Sequence, residues 1–306
     1  MLIWQAYKSK VRSLVFSPDG SRIATIAARS GAISLWNPST GELVTKLTPA
    51  TGYKVDAVAF FPDGIHIAGN IENSGARVWN IQTGSIVATL ATFANRPDAL
   101  AVSPDGTRLL VAPSDGIAEW VKPTSPKNRG RDADQKHRIA HHDPVRIGFS
   151  PAGTYFCIAE WHMHLFHSKD LKTFRQYRDP TGRPSDDGFP QGASVNAFAF
   201  KPDDSRLALA LGHHAVVWSP DDFEAGPVKI AGHGRMVKGI GFLPDGNLLT
   251  AGMDGTVRVW NPDTGVELQS FDWGVGKVQC AAVSPDGTLC AAGSDDGRIV
   301  VWDVDS

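Results

Sequence analysis

Six of the ten histidines fall between positions 137 and 167: His137, His141, His142, His162, His164 and His167. His162 and His164 are two apart, which on a strand puts them on one face. With Glu160 or His142 such a pair would make a transition-metal site. The plainer reading is a polar patch, and the sequence assigns no metal and no cofactor. Three cysteines are present, Cys157, Cys280 and Cys290. That is too few for a secreted disulfide framework, so a reduced, cytoplasmic compartment is expected. No glycine-rich phosphate loop leads from a strand into a helix, so nucleotide chemistry is unsupported.

The elements that must position these residues follow from a repeat. A short phrase occurs as SPDG at 17–20, FPDG at 61–64, SPDG at 103–106, SPAG at 150–153, KPDD at 201–204, LPDG at 243–246 and SPDG at 284–287. It returns every 41–51 residues. Seven copies at such a period indicate a repeat architecture, so residues 1–306 are read as one domain despite their length. In the phrase, Pro fixes φ, Asp bonds the local backbone and Gly accepts a positive φ, which is hairpin-turn chemistry. An apolar strand precedes each turn, such as VRSLVF or VKGIGF, and a second follows it. A third strand ends in an aromatic 16–19 residues after the phrase begins: Trp36, Trp79, Trp120, Phe166, Trp218, Trp260 and Trp302. A fourth follows turns such as NPSTG and NPDTG. Four short strands per repeat predict an all-β protein built of propeller blades.

The phrase, the segments AGMDGTVRVW and GSDDGRIVVW, and the dipeptide Trp302-Asp303 resemble the WD-repeat β-propeller over essentially the whole chain. The resemblance implies seven four-stranded antiparallel blades. The seventh repeat stops before a fourth strand, and Trp4 and Tyr7 repeat the apolar spacing of Val44 and Leu47. Residues 2–7 are therefore expected to complete the last blade and close the ring, which removes exposed edges. In this family each blade carries a buried hydrogen-bonded tetrad. Only the sixth blade matches throughout, with His233, Thr250, Asp254 and Trp260; the reading is structural, not catalytic. Elsewhere Ser30, Asn73, Ala292 and Phe166 depart from the pattern.

The resemblance implies a non-catalytic scaffold that binds a peptide or protein on the face of loops entering the first and third strands. Candidate partner-binding residues there are Lys10, Arg12, Arg29, Tyr53, Lys54, Arg96, Trp161, Met236, Trp273 and Lys277. The basic members favour an acidic partner, and aromatics beside Arg are typical of binding hot spots. The different class to weigh is a propeller enzyme or metal-binding propeller using the channel mouth (Glu72, Asn73, Asp98, Asn196) or the His-rich fourth blade. Sialidase boxes and a phosphoinositide-binding Phe-Arg-Arg-Gly motif are missing, so neither that enzyme class nor membrane binding is expected. Net charge is −2, from 30 Lys and Arg against 32 Asp and Glu, and no nucleic-acid footprint dominates. The basic stretch 121–136 has no interleaved aromatics and reads as a solvated loop. A monomer is expected.

Overall fold

The computed structural model describes residues 1–28, 30–49, 53–72, 74–90, 99–112, 117–121, 135–137, 146–159, 163–168, 174–177, 195–222 and 225–304. All regular structure among them is β. Seven four-stranded antiparallel sheets follow one another along the chain, in the architecture of a β-propeller. The first blade is Val11–Phe16, Ile23–Ala27, Ile33–Trp36 and Leu43–Leu47; the second is Val55–Phe60, His66–Ile71, Gly75–Asn80 and Ile86–Leu90. The third is Ala99–Val102, Arg108–Ala112, Ile117–Val121 and Gln135–His137. The fourth is Arg146–Phe149, Tyr155–Ala159, Met163–His167 and Phe174–Tyr177. The fifth is Val195–Phe200, Leu207–Leu211, His214–Trp218 and Val228–Ala231. The sixth is Val237–Phe242, Leu248–Gly252, Thr256–Trp260 and Glu267–Asp272.

The last sheet joins Val278–Val283, Leu289–Ser294 and Arg298–Asp303 to the strand Leu2–Gln5. Leu2 lies opposite Val301 and Gln5 opposite Arg298. The pairing segment is shorter than the expected 2–7. After Gln5 the chain turns away, and the amides of Ala6 and Tyr7 both bond the carbonyl of Gly297, at 3.0 Å each. Gly297 has φ 90°, and a Cβ there would stand 2.2 Å from the Tyr7 carbonyl, so only glycine fits.

The core lies between neighbouring sheets. Trp79 packs with Ile33, Leu35 and Leu47 of the preceding blade, and Trp260 with Val217 and Ile230. First strands carry Ala and Gly where the sheets crowd together. A Cβ on Gly239 would lie 2.7 Å from Ala281.

The proline-containing turns explain themselves chemically. In the first, third and seventh blades the Ser hydroxyl donates to the Asp two residues on (Ser17 to Asp19, 2.6 Å; Ser284 to Asp286, 2.6 Å). The fourth blade has Ala152 in place of that Asp, and the fifth has Asp204 in place of the turn glycine. The two departures answer each other. Asp204 holds φ 60°, the one positive-φ non-glycine among the described residues, and is 6% exposed. Its carboxylate reaches the turn of the fourth blade and accepts from Ser150 Oγ at 2.6 Å and from the amides of Ala152 and Thr154 at 3.2 Å.

Candidate functional site

In the sixth blade His233, Thr250, Asp254 and Trp260 are joined by hydrogen bonds. Trp260 Nε1 donates to Thr250 Oγ1 at 2.7 Å, and Thr250 Oγ1 lies 2.8 Å from His233 Nε2. The imidazole then donates through Nδ1 to Asp254, 3.0 Å away. Burial holds His233 below its ordinary value, outweighing the pull of Asp254 in the other direction, so the ring is neutral with its proton on Nδ1. Asp254 also accepts from the Gly234 amide (2.9 Å) and from Thr256 Oγ1 (2.9 Å). It therefore depends on His233 less than a two-residue pair would.

Sequence reasoning missed the equivalent device in the first blade. Tyr7 stands ten residues before the proline phrase, as His233 does. Its hydroxyl shares a 2.7 Å hydrogen bond with Thr25 Oγ1, which also accepts from Trp36 Nε1 at 2.7 Å. A phenol thus takes the place of the imidazole. In the second blade Gly69 occupies the hydroxyl position, and Trp79 Nε1 makes no hydrogen bond among the described residues.

The loop face is set by a repeated backbone contact. The carbonyl of the residue before a first strand accepts from the residue just past the second: Lys10 from Ala28, Lys54 from Glu72, Met236 from Met253 and Lys277 from Asp295, at 2.8–3.0 Å. Lys10, Lys54 and Lys277 therefore sit beside the turns that lead into third strands, and all three are exposed. Tyr53 and Met236 are 44% and 45% exposed on the same face. Trp273 is placed differently. Its ring centroid lies 4.5 Å from Trp302, and it stacks on Phe271, so it fills the seam between the sixth and seventh blades. Arg29, Arg96 and Trp161 lie outside the described residues, as do Asn73 and Asp98.

A cavity of about 560 Å³ runs along the first strands and draws lining residues from every blade: 12–15, 56–58, 99–100, 146–148, 197–198, 238–240 and 279–281. Two polar bridges cross between neighbouring first strands. Arg12 pairs with Asp56, whose side chain is 8% exposed. Lys238 Nζ donates to Asn196 Oδ1 at 2.9 Å.

The cysteine thiols and the described histidines are placed as follows. Cys280 and Cys290 are buried, and burial pushes both thiols up to about 12, far from a reactive thiolate. They do not face each other. Cys280 packs toward the first blade, and Cys290 toward the sixth. Among the described residues no group of three or more His, Cys, Asp or Glu is placed to hold a metal. His164 is buried in the fourth blade, whereas His142, Glu160 and His162 lie outside the described residues.

The model of the WD domain, G-beta repeat, matches residues 2–37, 227–261 and 265–303. These three stretches are WD repeats. Each matched WD unit starts on the fourth strand of one blade and ends on the third strand of the next. The unit at 2–37 thus begins on Leu2–Gln5, the strand that pairs with the seventh blade. The chain is 24% identical over 268 residues to periodic tryptophan protein 2 of Arabidopsis thaliana, covering 87% of this chain and 28% of that protein. It is 24% identical over 319 residues to apoptotic protease-activating factor 1 of Rattus norvegicus (95% and 25%). It is 33% identical over 140 residues to WD repeat-containing protein SL1-17 of Schistosoma mansoni (44% and 42%). The chain spans about a quarter to two fifths of the length of these WD-repeat relatives.

Proposed function

We propose that the seven sheets form one closed, seven-bladed ring that acts as a non-catalytic scaffold, binding a protein or peptide on its loop face. The observation that carries this reading is the arrangement of that face. Lys10, Lys54 and Lys277 stand exposed with Tyr53 and Met236 at the end where first strands begin, and the central cavity takes lining from all seven of those strands. Closure is supported by the pairing of Leu2–Gln5 with Arg298–Asp303 and by packing of Val11–Phe16 against Val278–Val283. Exposed cations beside apolar side chains suit an acidic protein segment: charge steers the encounter and the apolar groups supply buried contact. The three buried, unpaired thiols fit a reduced, cytoplasmic compartment.

The test is affinity capture from the native source, followed by binding at two salt concentrations. Lys10→Glu, Lys54→Glu and Lys277→Glu together are expected to slow association by roughly tenfold or more at low salt, with a weaker salt dependence. Equal association rates for the variant and the parent would remove this face from the mechanism.

A further inference from the structure

The seam between the sixth and seventh blades is not filled to its outer edge. A cavity of about 150 Å³ lies there, lined by the buried side chains of Leu249, Val259, Cys290 and Trp302 and by Phe271. The next seam shows why space is left. Phe271 lies opposite Val257 and Gln269 opposite Val259; in the seventh blade Trp4 lies opposite Ile299 and Leu2 opposite Val301. Trp4 and Leu2 therefore hold the places of Phe271 and Gln269. Trp4 meets Trp36 of the first blade at 6.0 Å between ring centroids, as Phe271 meets Trp302 at 6.3 Å. Leu2 and Trp4 also cover Gly41, where a Cβ would lie 3.1 Å from Trp4 and 3.3 Å from Leu2. The sixth blade offers a smaller ring and an amide in their stead, and Gln269 is exposed. Space left beside core side chains costs stability, and an apolar cavity of about 150 Å³ holds one benzene ring.

The opening carries one charge. Asp245 and Asn247, on the turn between the first two strands of the sixth blade, line the cavity, and Asp245 is exposed. Its carboxylate accepts from the amide and the side chain of Asn247, at 2.9 and 2.6 Å. It has no cationic partner among the described residues, and a carboxylate has lone pairs for further donors. We propose that this cavity binds a small aralkyl ammonium compound, whose aromatic ring enters between the blades while its ammonium group pairs with Asp245. The carboxylate disfavours an anion and gives a neutral ring less to gain. The turn of Asp245 joins the far ends of its first two strands, so the site lies away from the loop face of Lys10, Lys54 and Lys277. It does not depend on the scaffold reading.

The experiment titrates 2-phenylethylamine into the whole chain, against 2-phenylethanol, which has the same ring and tether without the charge. Binding is read by ligand-observed NMR and by thermal unfolding. The amine is expected to bind with a Kd of about 1 mM or tighter. The alcohol should bind about two- to fivefold more weakly, the worth of one exposed ion pair. Asp245→Asn should bring the amine down to the level of the alcohol and leave the alcohol unchanged. Cys290→Leu and Val304→Phe both add bulk to lining positions, and each should weaken both compounds about tenfold or more. Val304 is only partly buried, so its variant reports on the site even where Cys290→Leu disturbs the core. No binding of either compound up to about 10 mM, or binding unchanged in both bulky variants, would overturn the cavity assignment. Amine and alcohol bound equally, or an amine preference that survives Asp245→Asn, would overturn the ammonium class.

Discussion

Asp204 offers the sharpest test of how the blades are joined. Its carboxylate serves the turn of the preceding blade, where Ala152 leaves the local acceptor missing. Asp204→Gly removes an acceptor of three hydrogen bonds, one of them short, from a site that is 6% exposed. Charge-assisted bonds of this kind are worth about 1.5–3 kcal/mol. Glycine returns about 1 kcal/mol, because the left-handed backbone no longer carries a Cβ. The expected net loss is about 0.5–2 kcal/mol, a fall of about 1–3 °C in melting temperature for a chain this long. Adding Ala152→Asp to that variant rebuilds the S-P-D-G pattern of the other blades and should recover most of the loss. In the parent the same Ala152→Asp would place a second carboxylate beside Asp204 and should destabilise by about 1 kcal/mol or more. The effect of one substitution thus changes sign with the residue at 204, a coupling of about 2–3 kcal/mol. Thermal and urea unfolding of the four proteins measures it. Additive effects, or destabilisation by Ala152→Asp in both backgrounds, would refute the reasoning.

Tyr7→Phe should cost about 1 kcal/mol by removing the hydroxyl that meets Thr25, whereas Trp4→Ala should cost about 3 kcal/mol through lost packing on Trp36; urea midpoints separate the two. His233 is held below its ordinary value, so between that lowered value and about pH 6.5 the unfolded chain binds more protons than the folded one. Stability is then full above pH 6.5 and falls as the pH drops through that window. His233→Gln should flatten the fall, as urea midpoints at two pH values would show. Gly252→Ala would bring a Cβ to 2.4 Å from His233 Nδ1 and 2.6 Å from Asp254 Oδ1. A loss of about 1–3 kcal/mol is expected by thermal unfolding.

What could be read in the sequence was whatever repeats. Seven turn phrases became seven sheets, and the terminal aromatics fell at the ends of third strands because both recur with the blade. The sixth-blade tetrad was legible because all four residue types match at their positions. Tyr7 was hidden by coincidence: its distance from Trp4 copies a fourth-strand pair, although its partner is Thr25 in the next blade. Asp204 was hidden because its partner lies fifty-odd residues back, and each departure looks like a lapse until both turns are seen together. Trp273 falls outside the repeat pattern, so its packing against Trp302 had no signal in the spacing. The polar bridges between first strands were only partly legible, since which side chain meets which depends on the neighbouring strand.

The pairing of Leu2–Gln5 with Arg298–Asp303 has a mechanical consequence. In antiparallel register Leu2 lies opposite Val301, so the chain enters the first strand and leaves the last at the same end of the seam. Tension applied between the two ends would not shear the ladder, in which case all of its bonds would resist at once. It would peel the strand away one pair at a time, beginning at Leu2 and ending at Gln5. The junction that shields the last sheet's outer edge is thus also the place where a pulling force would first open the molecule.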